Sequence, residues 1–218
     1  MTGAGMTSLE LRQVAIRRGG EALFAPLSLV VMPGRPVTIM GPSGAGKSSL
    51  LAWMTGMLPD GLSGSGDVLL DGRSILGEPP NRRRLGILFQ DDLLFPHMSV
   101  GENLGFALPS ATPGRDRRAR IAAALEQAEL AGFMNRDPAT LSGGERARVA
   151  LLRILLSEPK ALLLDEPFSK LDLSLRDRFR SLVFQSARHL PVLLVSHDPA
   201  DAPQAGQIVQ LQPHHKAT

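Results

Sequence analysis

Four short apolar runs punctuate the chain, Val37 to Met40, Ile87 to Phe89, Ala161 to Leu164 and Val192 to Val195, each followed at once by polar or glycine-rich residues. Continuous rather than alternating apolarity suits strands buried on both faces of a parallel sheet. Helical spacing over Ser48 to Met57, Gly143 to Leu156 and Leu173 to His189 falls between these runs. Strands alternating with helices predict an α/β fold. The first 35 residues and Gly64 to Gly72 read instead as short strands joined by turns at Arg18-Gly19-Gly20, Pro33-Gly34 and Asp71-Gly72, an antiparallel β layer beside the main sheet. From Asp91 to Leu141 the strand pattern stops. Helices are predicted near Val100 to Ala107 and Asp116 to Ala131, with Pro109, Pro113 and Gly114 between them, so this stretch reads as a helical insert. Ser99 and Glu102 open the first of these helices as a capping box.

Length and composition narrow the class without deciding it. A chain of 218 residues suits one compact domain with a sizeable insert, and 43% hydrophobic residues exclude wholesale disorder. The net charge of +3 suits an acidic partner but is too small to argue for nucleic acid. With no cysteine there is no disulfide, thiolate metal site or cysteine nucleophile, and a reducing compartment is permitted. No apolar run approaches the roughly 18 residues that span a bilayer, the nearest being the broken stretch Leu50 to Leu58. Met1 to Gln13 carries Glu10 and Arg12 where an export signal needs apolar residues, so a cytoplasmic address is expected. Arg82-Arg83-Arg84 and the cluster of Arg115, Arg117, Arg118 and Arg120 read as solvated faces. His214-His215-Lys216 reads as a loose tail and a poor metal site.

Three segments carry chemistry. Gly41-Pro42-Ser43-Gly44-Ala45-Gly46-Lys47-Ser48 fits G-x-x-x-x-G-K-[ST], directly after a predicted strand and opening a predicted helix. Glycines let the backbone wrap phosphate oxygens, N–H groups and the helix dipole attract the anion, Lys47 reaches the β/γ phosphates, and Ser48 can ligate Mg²⁺. In Ala161 to Glu166 an apolar strand delivers two carboxylates at its C-terminal end, the edge where ligands sit in such sheets. Beside a phosphate loop, Asp165 suits the magnesium ion and Glu166 the water that attacks the γ-phosphate; without one, such a pair would only open a helix. In Leu141-Ser142-Gly143-Gly144-Glu145, Ser142 and Glu145 form a second capping box, and the paired glycines leave a helix start approachable by an anion.

The ordered set of Gly41 to Ser48, Gln90, Leu141 to Glu145, Asp165-Glu166, Asp172 and His197 resembles the nucleotide-binding subunit of ATP-binding cassette (ABC) transporters. The spacings agree: 43 residues from Lys47 to Gln90, 95 from Lys47 to Ser142, 23 from Ser142 to Asp165 and 31 from Glu166 to His197. Leu94 to Asn103 and Asp165-Glu166-Pro167-Phe168 are similar to the importer branch for ions and small organic solutes. The resemblance implies an α/β P-loop NTPase core of the ABC type, with a mostly parallel sheet, an antiparallel β subdomain and a helical insert. Core and β subdomain would take residues 1–90 and 142–218, the helical subdomain 91–141. ATP and Mg²⁺ are the implied cofactors, and the phosphate contacts run on to Ser49. Gln90 would touch the magnesium ion and the attacking water; His197 would touch the γ-phosphate and hold Glu166 in position. Asp172 would lie at the contact between two subunits, unless it caps the next helix. In the family's head-to-tail dimer, Ser142, Gly143 and Gly144 of one copy face the γ-phosphate held by Lys47 of the other. The implied partners are therefore a second copy or a paralogous cassette, membrane permease subunits at the cytoplasmic face, and a solute-binding protein, with no nucleic acid.

Two departures from the family pattern bear on specificity. The family usually stacks adenine on an aromatic residue upstream of the phosphate loop, but this chain has no tyrosine and reads Arg17-Arg18-Gly19-Gly20 there, leaving Arg18 or Phe24 as candidates. Lys170 occupies a position that is often small. Rival readings are an exporter ATPase subunit, a soluble cassette acting on DNA or ribosomes, and a P-loop kinase. The 95-residue interval is too short for a long coiled coil, and Leu141 to Glu145 argues against a kinase.

Overall fold

The computed structural model describes residues 7–212; the His214-His215-Lys216 tail lies outside them. Along the chain run β1 (Leu9–Arg18), β2 (Glu21–Ala22), β3 (Leu27–Val31), β4 (Val37–Met40), α1 (Lys47–Thr55), β5 (Leu62–Leu70), β6 (Arg73–Ser74), β7 (Leu85–Leu88), α2 (Val100–Ala107), α3 (Gly114–Gln127), α4 (Gly143–Leu156), β8 (Ala161–Asp165), α5 (Leu173–Ser186), β9 (Val192–Ser196) and β10 (Gln207–Gln210). Two compact units result. One takes the residues up to Ile87, Lys160–Glu166 and those from Ala187 onward; the other takes Leu88–Pro159 and Pro167–Ser186.

The first unit holds both sheets. The order β10-β4-β9-β8-β7 has parallel pairings at β10–β4, β4–β9 and β9–β8. All of β4 and β9 and the first four residues of β8 are buried, which is the physical meaning of their largely apolar runs, with Thr38 and Ser196 the polar residues among them. The antiparallel sheet runs β2-β1-β5-β6, with β3 also on β1. It is built from longer strands than the sequence predicts. Gly64 and Gly66 lie inside β5, and Gly66 (φ +94°) sits where the β1–β5 register shifts around Gln13. A Cβ there would lie 2.4 Å from the Gln13 carbonyl oxygen, so the bulge accepts only glycine.

Helix α1 stops at Thr55, two residues short of its predicted end. Gly56 turns left-handed (φ +79°), and Met57 N–H returns to the Ala52 carbonyl at 2.7 Å, a Schellman closure. Arg83 is not solvated as its arginine run suggests. It is 8% exposed and donates to the carbonyls of Trp53, Met54, Leu76 and Glu78 at 2.8–3.0 Å. A guanidinium presents five donors in a rigid fork, so one buried side chain satisfies the carbonyls at the end of α1 and in the loop after β6.

In the second unit α2, α3, α4 and the adjoining loops share one apolar cluster that includes Val100, Leu104, Ile121, Leu125, Val149 and Leu152. Both capping boxes form, Ser99 with Glu102 and Ser142 with Glu145, and α2 and α4 occupy their predicted ranges. Helix α3 begins earlier than predicted, immediately after Pro113, and stops before the left-handed Glu129 (φ +59°). Helix α5 ends at Ser186 rather than His189. The arginines of α3 divide in role. Arg115 and Arg118 are exposed, whereas Arg117 ties to the carbonyls of Gly105 and Pro109, and Arg120 pairs with Glu158 at 2.7 Å.

Candidate nucleotide site

The phosphate loop connects β4 to α1. Gly44 (φ +79°) and Gly46 (φ +92°) take left-handed backbone that other residues resist, which folds the loop back over the helix start. Gly41 is required for closeness instead, since a Cβ there would meet the Leu211 carbonyl oxygen at 3.0 Å. Pro42 and Ser43 face outward, Ala45 and Gly46 are buried, and Ser49 is half-buried. Unlike α2 and α4, helix α1 has no side-chain cap and no acid in its first turn, so its N–H groups and dipole favour an anion. Lys47 is buried, and its Nζ donates to the carbonyls of Gly41 (2.8 Å) and Pro42 (3.1 Å), which holds the ammonium over the loop.

Ser48 Oγ donates to Asp165 Oδ1 at 2.9 Å, joining the helix start to the end of β8. Burial pushes the Asp165 carboxyl above its ordinary value; Ser48 and Lys47 pull it down and Glu166 pushes it further up. Among the described residues no group of three or more His, Cys, Asp or Glu forms a self-sufficient metal cage. Mg²⁺ needs less: one or two protein oxygens beside substrate phosphates and water is its usual setting, and a hydroxyl plus a carboxylate at a phosphate loop fits it.

Glu166 follows with a left-handed backbone (φ +47°), uncommon for a residue with a side chain. Its N–H donates to the Val195 carbonyl at 3.0 Å, and its Oε2 accepts from Nδ1–H of His197, also at 3.0 Å. The pair therefore meets where β8 and β9, neighbours in the sheet, both end.

In the second unit Ser142 caps α4. Its N–H and Oγ both donate to Glu145 Oε2 at 2.7 Å, and these bonds hold the Glu145 carboxyl below its usual range. The two glycines have different reasons. A Cβ on Gly143 would meet nothing within 4 Å, whereas one on the buried Gly144 would lie 2.4 Å from Leu175 Cδ2, so Gly144 is set by packing against α5. The segment after Gln90 is strapped to α4, as Arg146 pairs with Asp92 at 2.9 Å and Arg153 donates to the carbonyls of Asp92 and Leu93. Lys170 pairs with Asp91. Gln90, Asp91, Arg146, Lys170 and Phe179 line a cavity of about 380 Å³ in this unit. Asp172 does cap α5, accepting from Leu175 N–H (3.0 Å) and Ser174 Oγ (2.9 Å), which lowers its pKa.

Of the two candidates for adenine, Phe24 is removed. It is fully buried, with its ring 3.2 Å from the Cβ position of Gly46, whereas Arg18 is exposed on the β1–β2 hairpin. The straps from Arg146 and Arg153, the buried Arg83 and a Ser196–Asp201 pair beside His197 were not read from the sequence. Local sequence signals them weakly: Arg153, Ser196 and Asp201 are polar positions next to apolar ones, whereas Arg83 is hidden within an arginine run.

The chain belongs to the ABC transporter family, which it matches over residues 24–169. It is 48% identical over 203 residues to the uncharacterized ABC transporter ATP-binding protein YnjD of Escherichia coli strain K12, covering 92% of this chain and 94% of the relative. It is 39% identical to the sulfate/thiosulfate import ATP-binding protein CysA of Gloeobacter violaceus (89% of this chain, 57% of the relative). It is 36% identical to the Fe(3+) ions import ATP-binding protein FbpC of Escherichia coli strain K12 (89% and 56%), so the chain spans little more than half the length of these last two. It is an ATP-binding ABC ATPase, and among the described residues no helix is long and apolar enough to cross a membrane.

Proposed function

We propose that this chain powers import of a small ion or organic solute, hydrolysing ATP in a head-to-tail homodimer, or in a pair with a paralogous cassette, at the cytoplasmic face of a membrane permease. The import names of two relatives support the direction of transport, and they leave sulfate-like anions and metal ions as admissible cargo. A permease supplies the pore, and a solute-binding protein selects the cargo. The observation that carries the chemistry is the convergence of Lys47, Ser48, Asp165, Glu166 and His197 around one uncapped helix start.

In this reading the amides of Gly41 to Ser49 and the Lys47 ammonium cradle the β and γ phosphates. Ser48 and Asp165, with Gln90 added by the resemblance, would hold Mg²⁺, which supplies charge neutralisation between those phosphates. Glu166 accepts hydrogen bonding from the attacking water and orients it in line with the γ-phosphorus, and His197 keeps that carboxylate in place. The P–O bond to ADP breaks as the water oxygen bonds phosphorus, and inorganic phosphate leaves. Ser142, Gly143 and Gly144 of a second copy, with Asp172 beside the contact, bind the γ-phosphate from its far side. ATP then joins the two copies and hydrolysis releases them. Glu166→Gln tests this. Turnover is expected to drop by about a hundredfold or more while Mg-ATP still drives dimerisation in gel filtration; wild-type turnover in that variant contradicts the assignment.

A further inference from the structure

Asp201 is a buried acid that the hydrolytic scheme leaves unused. It is 3% exposed and lies four residues beyond His197. Its Oδ2 accepts from Ser196 Oγ at 2.5 Å, and Ser196 is itself 1% exposed. The same hydroxyl accepts from Asp198 N–H at 3.1 Å. Asp198 in turn caps the turn that follows, through Ala200 N–H at 2.9 Å, and its carbonyl accepts from Asp201 N–H at 3.1 Å. Both chain neighbours of His197 are thus pinned through one hydroxyl whose direction a buried carboxylate sets.

The imidazole between them has no such enclosure. Its side chain is 59% exposed and meets Glu166 at 3.0 Å. The backbone of Glu166 is tied to the same strand one residue before Ser196, through the Val195 carbonyl. Where both imidazole and carboxylate stand is therefore fixed by the end of β9 and the turn after it. Burying a carboxylate for stability alone gains little, because its desolvation offsets most of what the bonds return, and an apolar side chain would fill the space as well. What an apolar side chain could not do is orient the Ser196 hydroxyl.

We propose that the Ser196–Asp201 pair is a positioning device that fixes the loop carrying His197 and thereby holds the imidazole against the Glu166 carboxylate. The inference rests on the roles given above to Glu166 and His197. It separates binding from chemistry: the phosphate loop lies on other elements, whereas a displacement of about 1 Å at a reacting group can cost on the order of a hundredfold in rate.

The test uses the full chain with Mg-ATP and the variants Ser196→Ala, Asp201→Asn and Ser196→Thr. Steady-state kinetics, ATP affinity by calorimetry and thermal melting are recorded for each. The expected result is a kcat lower by about tenfold or more in Ser196→Ala and Asp201→Asn, with ATP affinity within about twofold of wild type. Ser196→Thr, which keeps the hydroxyl, is expected within about threefold of wild type. Adding Ser196→Ala to Glu166→Gln should cause no further loss, because groups acting as one unit are not additive. A lowered melting temperature with unchanged kcat per folded molecule overturns the proposal and makes the pair a structural element only. Loss of ATP affinity in step with kcat overturns it as well. Should Asp201→Asn not fold, Ser196→Ala decides alone, since it removes a single oxygen. Failure of the ATPase reading itself looks different: wild-type protein that does not hydrolyse ATP, or hydrolysis indifferent to Glu166→Gln.

Discussion

At the residue scale the site combines groups that favour folding with one that opposes it. Asp165 holds its proton more tightly in the folded chain than in the unfolded one, chiefly through burial. A carboxyl raised in this way contributes stability that is complete below its unfolded pKa and is lost as pH rises through its folded pKa. At neutral pH the ionised Asp165 is therefore a burden on the fold. Asp165→Asn is expected to melt at or above the wild-type temperature at pH 7, the difference shrinking as pH falls through the carboxylate range. Its ATPase activity should nevertheless fall by roughly a hundredfold or more. A melting series against pH beside a turnover assay checks both halves. The phosphate loop was legible in the sequence because Gly41 to Ser48 is contiguous and its glycines encode backbone angles directly. Asp201 was not, because nothing local to it reveals that Ser196 points inward and that a carboxylate is buried beside it.

Among the elements, the ends that could be read were those written in side chains. Both capping boxes place their helix starts, at Val100 and Gly143, where the sequence predicts them. Two of the ends that shifted, at Thr55 and Gln127, depend on left-handed residues just beyond them, a backbone choice that apolar spacing does not record. Strand β5 begins at Leu62, two residues before the predicted stretch, and its Gly66 faces the bulge that β1 makes at Gln13 and Val14, a pairing that no local pattern records. Arg83 shows what the end of α1 requires. Arg83→Met should destabilise the protein by about 3 kcal/mol, since an apolar chain of similar length would strand several buried carbonyls. Chemical denaturation measures the loss; a change within about 0.5 kcal/mol would mean that water replaces the guanidinium without penalty.

For the whole molecule the decisive question is whether two copies share each reaction centre, and Gly143 gives access to it. Side-chain space is open there, and an acid in the first turn of α4 suits the helix dipole. Gly143→Asp is therefore expected to fold with wild-type stability and to bind Mg-ATP with wild-type affinity as a monomer. Facing a γ-phosphate held by another copy, the added carboxylate repels it, so ATP-driven dimerisation and hydrolysis should both disappear. Sedimentation at increasing protein concentration follows the first and phosphate release the second. A Gly143→Asp variant that hydrolyses normally would place the whole reaction within one chain. The class of protein was readable from the order and spacing of its motifs because each motif needs only local backbone to form. The packing that holds them, such as Gly144 under Leu175, appears only once the helices are placed.

The lone tryptophan gives these experiments their own instrument. Trp53 rides on α1, the helix that opens at Lys47, and its indole nitrogen lies 2.0 Å from where a Cβ would stand on Gly64. Ring and bare strand backbone touch so closely that a small rotation of α1 on nucleotide capture would change the indole's surroundings. Unlabelled protein should therefore announce occupancy of its phosphate loop as a change in ultraviolet emission, without dye, tag or added cysteine.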